Sequence, residues 1–205
     1  MAKQPQRRSV RRRPQQLRAR QTVAAVLDAA VRLMKREGFG SLTTNRIAEV
    51  AGVSIGSVYQ YFPDKGSIFI ALHQRHVEEI DRLIAATLIE HAASPLDELI
   101  RALIETMIDA HTTDPELYEL LQHEVPHRAE GTQDFTVRLH GTFRLALSSR
   151  ARELRKHRDP DKAAFIVAHM VDSLSHGAVL RRPSGLSLRA AKEEAVRAVL
   201  AYLNN

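Results

Sequence analysis

Three short stretches hold residue types that could do chemistry. HEVPH, His123 to His127, fits the H-E-x-x-H pattern, in which two histidines one helical turn apart hold zinc and the glutamate serves as general base. That chemistry needs an unbroken helix under both ligands. Pro126 lacks a backbone donor and crowds the carbonyl of Gln122, so the helix is expected to stop before His127. A metal-dependent hydrolase built on His123, Glu124 and His127 is therefore strongly disfavoured, and a metal-sensing role for the same histidines ranks above it as the alternative. No catalytic residue, resident metal or cofactor is expected.

The second stretch is VYQYFPDK, Val58 to Lys65, where Tyr59, Tyr61 and Phe62 are three of only ten aromatic residues in the chain. Tyrosine hydroxyls commonly bond phosphate oxygens. Lys65 falls where a helix should begin, a position that opposes the helix dipole. The placement makes sense if an anion sits there, because backbone N–H groups and the ammonium together clamp a phosphate. The third stretch puts His169, Asp172 and His176 on one helical face. They could orient a polar ligand group or link two copies of the chain, although such residues more often complete internal hydrogen bonds. His73 and His76 read as surface or packing residues.

Charge distribution bears on the anion. Of 30 basic residues, eight fall within the first 20 positions, which hold none of the 24 acidic residues; the remainder carries 22 basic against 24 acidic residues, a net of −2. The basic character belongs to one end, with Arg11, Arg12 and Arg13 at its centre. A cationic tail suits a polyanion, nucleic acid before membrane. The absence of cysteine excludes disulfides and thiolate chemistry and fits a cytoplasmic location. No run approaches the roughly 18 consecutive apolar residues of a membrane span, and no secretory leader is read at the N-terminus.

The elements that must position these groups read as helices throughout. Apolar residues recur at three and four spacing from Val23 to Met34, with Gly38 as the stop. Thr43 or Thr44 caps a short helix ending before Gly52, and Ser54 caps another reaching about Phe62. Asp64 caps a long helix whose buried stripe is Ile68, Leu72, His76, Ile80, Leu83 and Thr87. Further helices are expected over residues 94–112, 114–125, 132–154, 159–180 and from Ser187 to Tyr202. No strand alternation is found. The expectation is an all-α chain of about nine helices, with a disordered basic arm over 1–17, a three-helix DNA-binding domain over 18–66 and a larger helical domain over 67–205.

Residues 44–63 have the arrangement of a helix-turn-helix. Ala48 lets the second helix approach, Gly52 permits a left-handed turn, and Ile47, Ala51, Val53 and Val58 fill the angle. With Val58 and Phe62 inward, Ser54, Gly56, Ser57, Tyr59 and Gln60 face outward without an acid among them. Ser57 and Gln60 reach base edges, and Gly56 lets the backbone approach a groove wall.

Residues 42–72, LTTNRIAEVAGVSIGSVYQYFPDKGSIFIAL, closely resemble the DNA-binding region of TetR-family transcriptional regulators. The family pattern appears as Thr44, Ile47-Ala48, Ala51-Gly52-Val53-Ser54, Gly56, Tyr59, Tyr61-Phe62 and Lys65, with Gly66 where glutamate is frequent. The likeness covers about residues 18–85. It implies a homodimeric repressor on a near-palindromic double-stranded DNA operator, released by a small-molecule effector. The implied DNA contacts are Thr44, Asn45, Ser54, Ile55, Gly56, Ser57, Tyr59, Gln60, Tyr61 and Lys65, with Arg11, Arg12 and Arg13 lying along an adjacent minor groove. A general nucleic-acid binder driven by the arginine tail is the competing reading.

For the larger domain the resemblance implies only effector binding and dimerisation. The helix from Asp159 is apolar on nearly every side. With the last helix it is expected to form the dimer interface; a central helix within one chain is the alternative. Candidate cavity residues are Met107, His111, Leu120, His123, Phe135, Leu139, Phe143, Phe165, His169 and Asp172, which suit a partly apolar effector.

Overall fold

The computed structural model describes residues 12–38, 40, 42–124, 132–154 and 159–204; the side chains of 12–16, 123–124 and 132–134 lie outside that description. Among the described residues the regular structure is helical, without strands, in nine helices. The chain divides into two compact units, one through Ala71 and one from Leu72.

The first unit contains α1 (Arg12–Glu37), α2 (Thr44–Ala51), α3 (Ile55–Tyr61) and the start of α4 (Lys65–Glu90). Residues 12–17, expected in the arm, are helical, because α1 begins at Arg12; residues 1–11 lie outside the described residues. Pro14 falls in its first turn, where a missing N–H removes no intrahelical bond, and Gln15 to Arg20 are good helix formers. Helix α1 packs on α2 and α3, and α2 on α3. Val26, Ala30 and Leu33 of α1, Ile47 and Ala48 of α2 and Val58 of α3 are buried.

Local signals place the two short helices. Thr43 accepts the Arg46 N–H at 3.2 Å, and Ser54 accepts the Ser57 N–H at 3.1 Å, so each helix has a hydroxyl cap. Gly52 ends α2 at φ 68°. Its N–H bonds the Glu49 carbonyl at 3.1 Å while the Val53 N–H bonds that of Ala48 at 3.1 Å. A Cβ at Gly52 would meet nothing within 4 Å, so the constraint is the backbone angle alone. Gly52→Val should therefore cost about 1–2 kcal/mol or more, since left-handed backbone disfavours Cβ and β-branched residues most. A wild-type melting temperature for that variant would contradict this account of the turn.

The second unit contains the remainder of α4, then α5 (Leu96–Thr112), α6 (Pro115–Glu124), α7 (Thr132–Ser149), α8 (Pro160–Leu180) and α9 (Leu188–Asn204). Helix α8 packs against α5, α6, α7 and α9. By length and composition α8 could cross a membrane, with a mean hydropathy of 1.4. Ala163, Ala164, Val167, Ala168 and Val171 are instead buried in the core of this unit. Phe165 and Ile166 remain exposed, so α8 is not covered on every side within one chain.

Two expected details differ. Leu83 is exposed and Ile84 takes its buried place, because one residue of drift rotates a helical stripe by 100°. Helix α7 ends at Ser149 rather than near Leu154. The turns that follow serve the α4–α5 junction. Arg150 donates to the carbonyls of His91, Ala92 and Ser94 at 3.0, 2.9 and 3.1 Å, and Glu153 accepts the Leu96 N–H at 2.6 Å.

Candidate functional site

Two places gather polar chemistry, one in each unit. The first is the surface of α3 and the turns around it. Val58 and Phe62 are buried. Ser54, Ile55, Gly56, Tyr59 and Gln60 are exposed, while Ser57 and Tyr61 are half-buried. Residues 50–63 carry no acidic side chain. Asn45 is exposed and Thr44 half-buried in the first turn of α2. Thr44 Oγ1 and the Tyr59 hydroxyl lie 3.1 Å apart, a bond that ties α3 to the start of α2 and fixes the tyrosine ring. Ser54 and Ser57 hydroxyls share a 2.8 Å hydrogen bond as part of the cap.

The N-terminus of α4 differs from the expected phosphate clamp in one respect. The Asp64 carboxylate accepts the Ser67 N–H at 2.7 Å, and the Asp64 N–H donates to Ser67 Oγ at 3.3 Å. One of the amides offered to an anion is thus already bonded. Lys65 stands half-buried beside this capped turn. Near by, Arg46 bridges Glu37 at 3.2 Å and Glu49 at 2.7 Å, and these carboxylates raise its pKa. That guanidinium serves to hold α2 on the end of α1. Arg11 and the side chains of Arg12 and Arg13 lie outside the described residues.

The second place is a cavity of about 880 Å³ within the second unit, lined by residues of α4 to α8. Apolar wall comes from Val77, Ile80, Phe135 and Leu180, and the polar groups are chiefly His73, His76, His111, Tyr118, His176 and Asp172. The His76 Nε2 and His111 Nδ1 atoms lie 3.0 Å apart. The Tyr118 hydroxyl bonds His176 Nδ1, and His176 Nε2 lies 3.3 Å from the Asp172 carboxylate. The rings of His111 and Tyr118 stack at 4.0 Å with their planes 10° apart. Burial, aided by the neighbouring His73, pushes His76 down to about 4. Burial, then the charges of His76 and His176, push His111 down to about 2. Burial and then Asp172 raise the Tyr118 hydroxyl above its usual range. All three groups are therefore uncharged near neutral pH.

Of the residues expected in the cavity, His111, Phe135 and Asp172 line it. Met107, Leu139 and Phe143 are instead buried in the hydrophobic core. Leu120 is half-buried and not part of the wall. Phe165 and His169 are exposed, with His169 Nδ1 bonding the Phe165 carbonyl at 2.8 Å, so the expected trio of His169, Asp172 and His176 reduces to the last two. The His123 and Glu124 side chains and all of His127 lie outside the described residues. Among the described residues, no three His, Asp or Glu side chains are gathered to hold a metal ion.

His73 and His76, expected in surface or packing roles, are buried and half-buried and also line the cavity. Tyr118 was missed as a lining residue, whereas His176 had been read on a face that could orient a polar ligand group. The available signal was His76 within the apolar stripe of α4 and His111 within that of α5. Two imidazoles on buried faces need partners, and each is the other's.

Residues 26–72 match the family described as bacterial regulatory proteins, tetR family, and residues 95–203 match tetracyclin repressor-like, C-terminal domain. Among characterised relatives, the HTH-type transcriptional regulator TtgR of Pseudomonas putida is 29% identical over 168 residues, covering 76% of this chain and 79% of that one. The HTH-type transcriptional regulator AcrR of Shigella flexneri is 28% identical over 141 residues, 68% of this chain and 65% of its own length. In fold, the fatty acid degradation regulator FadR from Bacillus halodurans aligns with TM-score 0.68 at 18% identity, covering 89% of this chain and 96% of that one. A SmeT–triclosan complex aligns with TM-score 0.62 at 23% identity, covering 90% and 92%.

Proposed function

Since the chain belongs to the TetR family of bacterial regulatory proteins, we propose that it represses transcription from a near-palindromic operator and that a small molecule in the helical unit releases it. What carries this is the acid-free outer face of α3, held by a helix-turn-helix whose bend is Gly52 at φ 68°. Such a unit lays its second helix in the major groove. Ser57 and Gln60 read base edges, and exposed Ile55 suits a thymine methyl. Thr44, Asn45, Ser54, Tyr59 and Tyr61 position the helix on phosphates, and Gly56 allows close approach. Arg11, Arg12 and Arg13 follow the adjacent minor groove.

Selection of bound sequences from random duplex DNA tests the proposal. Enrichment of a two-fold symmetric site supports it; uniform recovery would favour a general nucleic-acid binder. Lys65→Ala should weaken binding to all sequences about equally and reduce the salt slope by roughly one unit, as for the loss of one phosphate contact. An unchanged slope would remove Lys65 from the interface.

The cavity is the effector site in this proposal. The FadR of Thermus thermophilus was solved with lauroyl-CoA and SmeT with triclosan, both on the same fold. An effector favouring one conformation lowers DNA affinity by the same factor by which DNA lowers its own. The chain acts as a homodimer through α8 and α9, a reading supported by the exposed Phe165 and Ile166 on α8. Work on the chromosome places it in the cytoplasm, and no catalytic role is assigned.

A further inference from the structure

The polar groups in the cavity do not form a random scatter. The carboxylate of Asp172 only accepts, so in the neutral imidazole His176 carries its proton on Nε2 and presents Nδ1 as a lone pair. Tyr118 therefore donates its O–H to His176, which turns the remaining lone pair of the phenol oxygen into an acceptor. The second pair behaves differently. One of His76 Nε2 and His111 Nδ1 donates to the other across 3.0 Å. Whichever does so, the two outer nitrogens of the pair are left as one donor and one acceptor, because each neutral imidazole has a single N–H.

Charge is confined to the outer groups. Asp172 has a 40% exposed side chain, and Arg181 is exposed. Tyr118 and His111 are 2% and 4% exposed. A charged ligand head would lose its water against these uncharged groups, and the one carboxylate in the wall, Asp172, is already engaged by His176. A hydroxyl both donates and accepts, which matches a donor beside acceptors.

Taking the cavity as the effector site proposed above, we propose that it selects an uncharged molecule with an apolar body and a hydroxyl head, the head bonding Tyr118 and the His76–His111 pair. The body lies against Val77, Ile80, Phe135 and Leu180. Tyr118 sets specificity: its oxygen accepts from the head while its ring, stacked on His111, is part of the wall.

The test is calorimetric titration of the full chain at pH 7.5 with four probes that share a pentylphenyl body: 4-pentylphenol, pentylbenzene, 4-pentylbenzoate and 4-pentylbenzylammonium. The phenol should bind about tenfold tighter than each of the others, the equivalent of one satisfied buried hydrogen bond. Tyr118→Phe should remove that advantage over pentylbenzene and leave the pentylbenzene affinity unchanged. Equal or tighter binding of either ion, parity of phenol and pentylbenzene in the wild type, or no phenol binding would each overturn the inference. The wild-type comparison decides even if the variant folds poorly. The same samples are assayed for release of the selected operator. Phenol binding without release would count against the effector reading while upholding the chemistry of the cavity.

Discussion

Val58→Asp is expected to abolish operator binding by unfolding the reading head, with loss of helical signal at 222 nm. Val58 is the fully buried residue of α3, at 0% exposure. Its neighbours in the first unit, Val26, Ala30, Leu33 and Ile47, are apolar and equally buried. A carboxylate buried among these apolar side chains must either protonate or draw water inward, at a cost of several kcal/mol. A unit of this size has about 5 kcal/mol to lose. Circular dichroism melting and a gel shift on the selected operator check the result. Retained melting and affinity would mean that α3 does not point Val58 into a core, and the orientation of Ser57 and Gln60 would fall with it.

The second large effect is acid lability of the helical unit. His76 and His111 are held down to about 4 and about 2, below the ordinary histidine value of 6.5. Between those values the unfolded chain binds protons that the folded chain refuses. Stability therefore rises with pH in that window, and is lost as pH falls below 6.5. From pH 7.5 to 5 the loss should be on the order of 2–3 kcal/mol for the pair, with half-buried His76 discounted against His111. Asp114 and Glu79 face His76 and temper its shift, while His73 and His176 reinforce the neutrality of the pair. Denaturant midpoints at the two pH values measure the loss, and His111→Gln should flatten the dependence. A midpoint independent of pH over that range would mean that the imidazoles are hydrated and that the pair does not face a dry cavity.

The two effects separate what was legible in the chain from what was not. Val58 could be assigned inward from its spacing to Phe62 and from Gly52 ahead of it. The His76–His111 pair joins residues 35 positions apart on two helices. Leu83 and Ile84 show how narrow the margin is. Both are apolar and adjacent, and only the packing of α4 against its neighbours chose the second for the core. Met107, Leu139 and Phe143 were apolar on the right faces for either a cavity or a core, and the closing of α5, α7 and α8 assigned them to the core.

The sequence by itself determined the all-helical character of the described residues, the two capped short helices, the bend at Gly52 and the acid-free face between Ser54 and Gln60. Each of these is written in hydroxyl caps, glycine and 3.6-residue periodicity, whose physics acts within a few positions along the chain. The tertiary structure alone decided that His76, His111, Tyr118 and His176 share one cavity while Phe165 and His169 face outward. Their meeting depends on how α4, α5, α6 and α8 cross. Crossing is set by the summed packing of side chains from separate helices, and no local stretch encodes that sum.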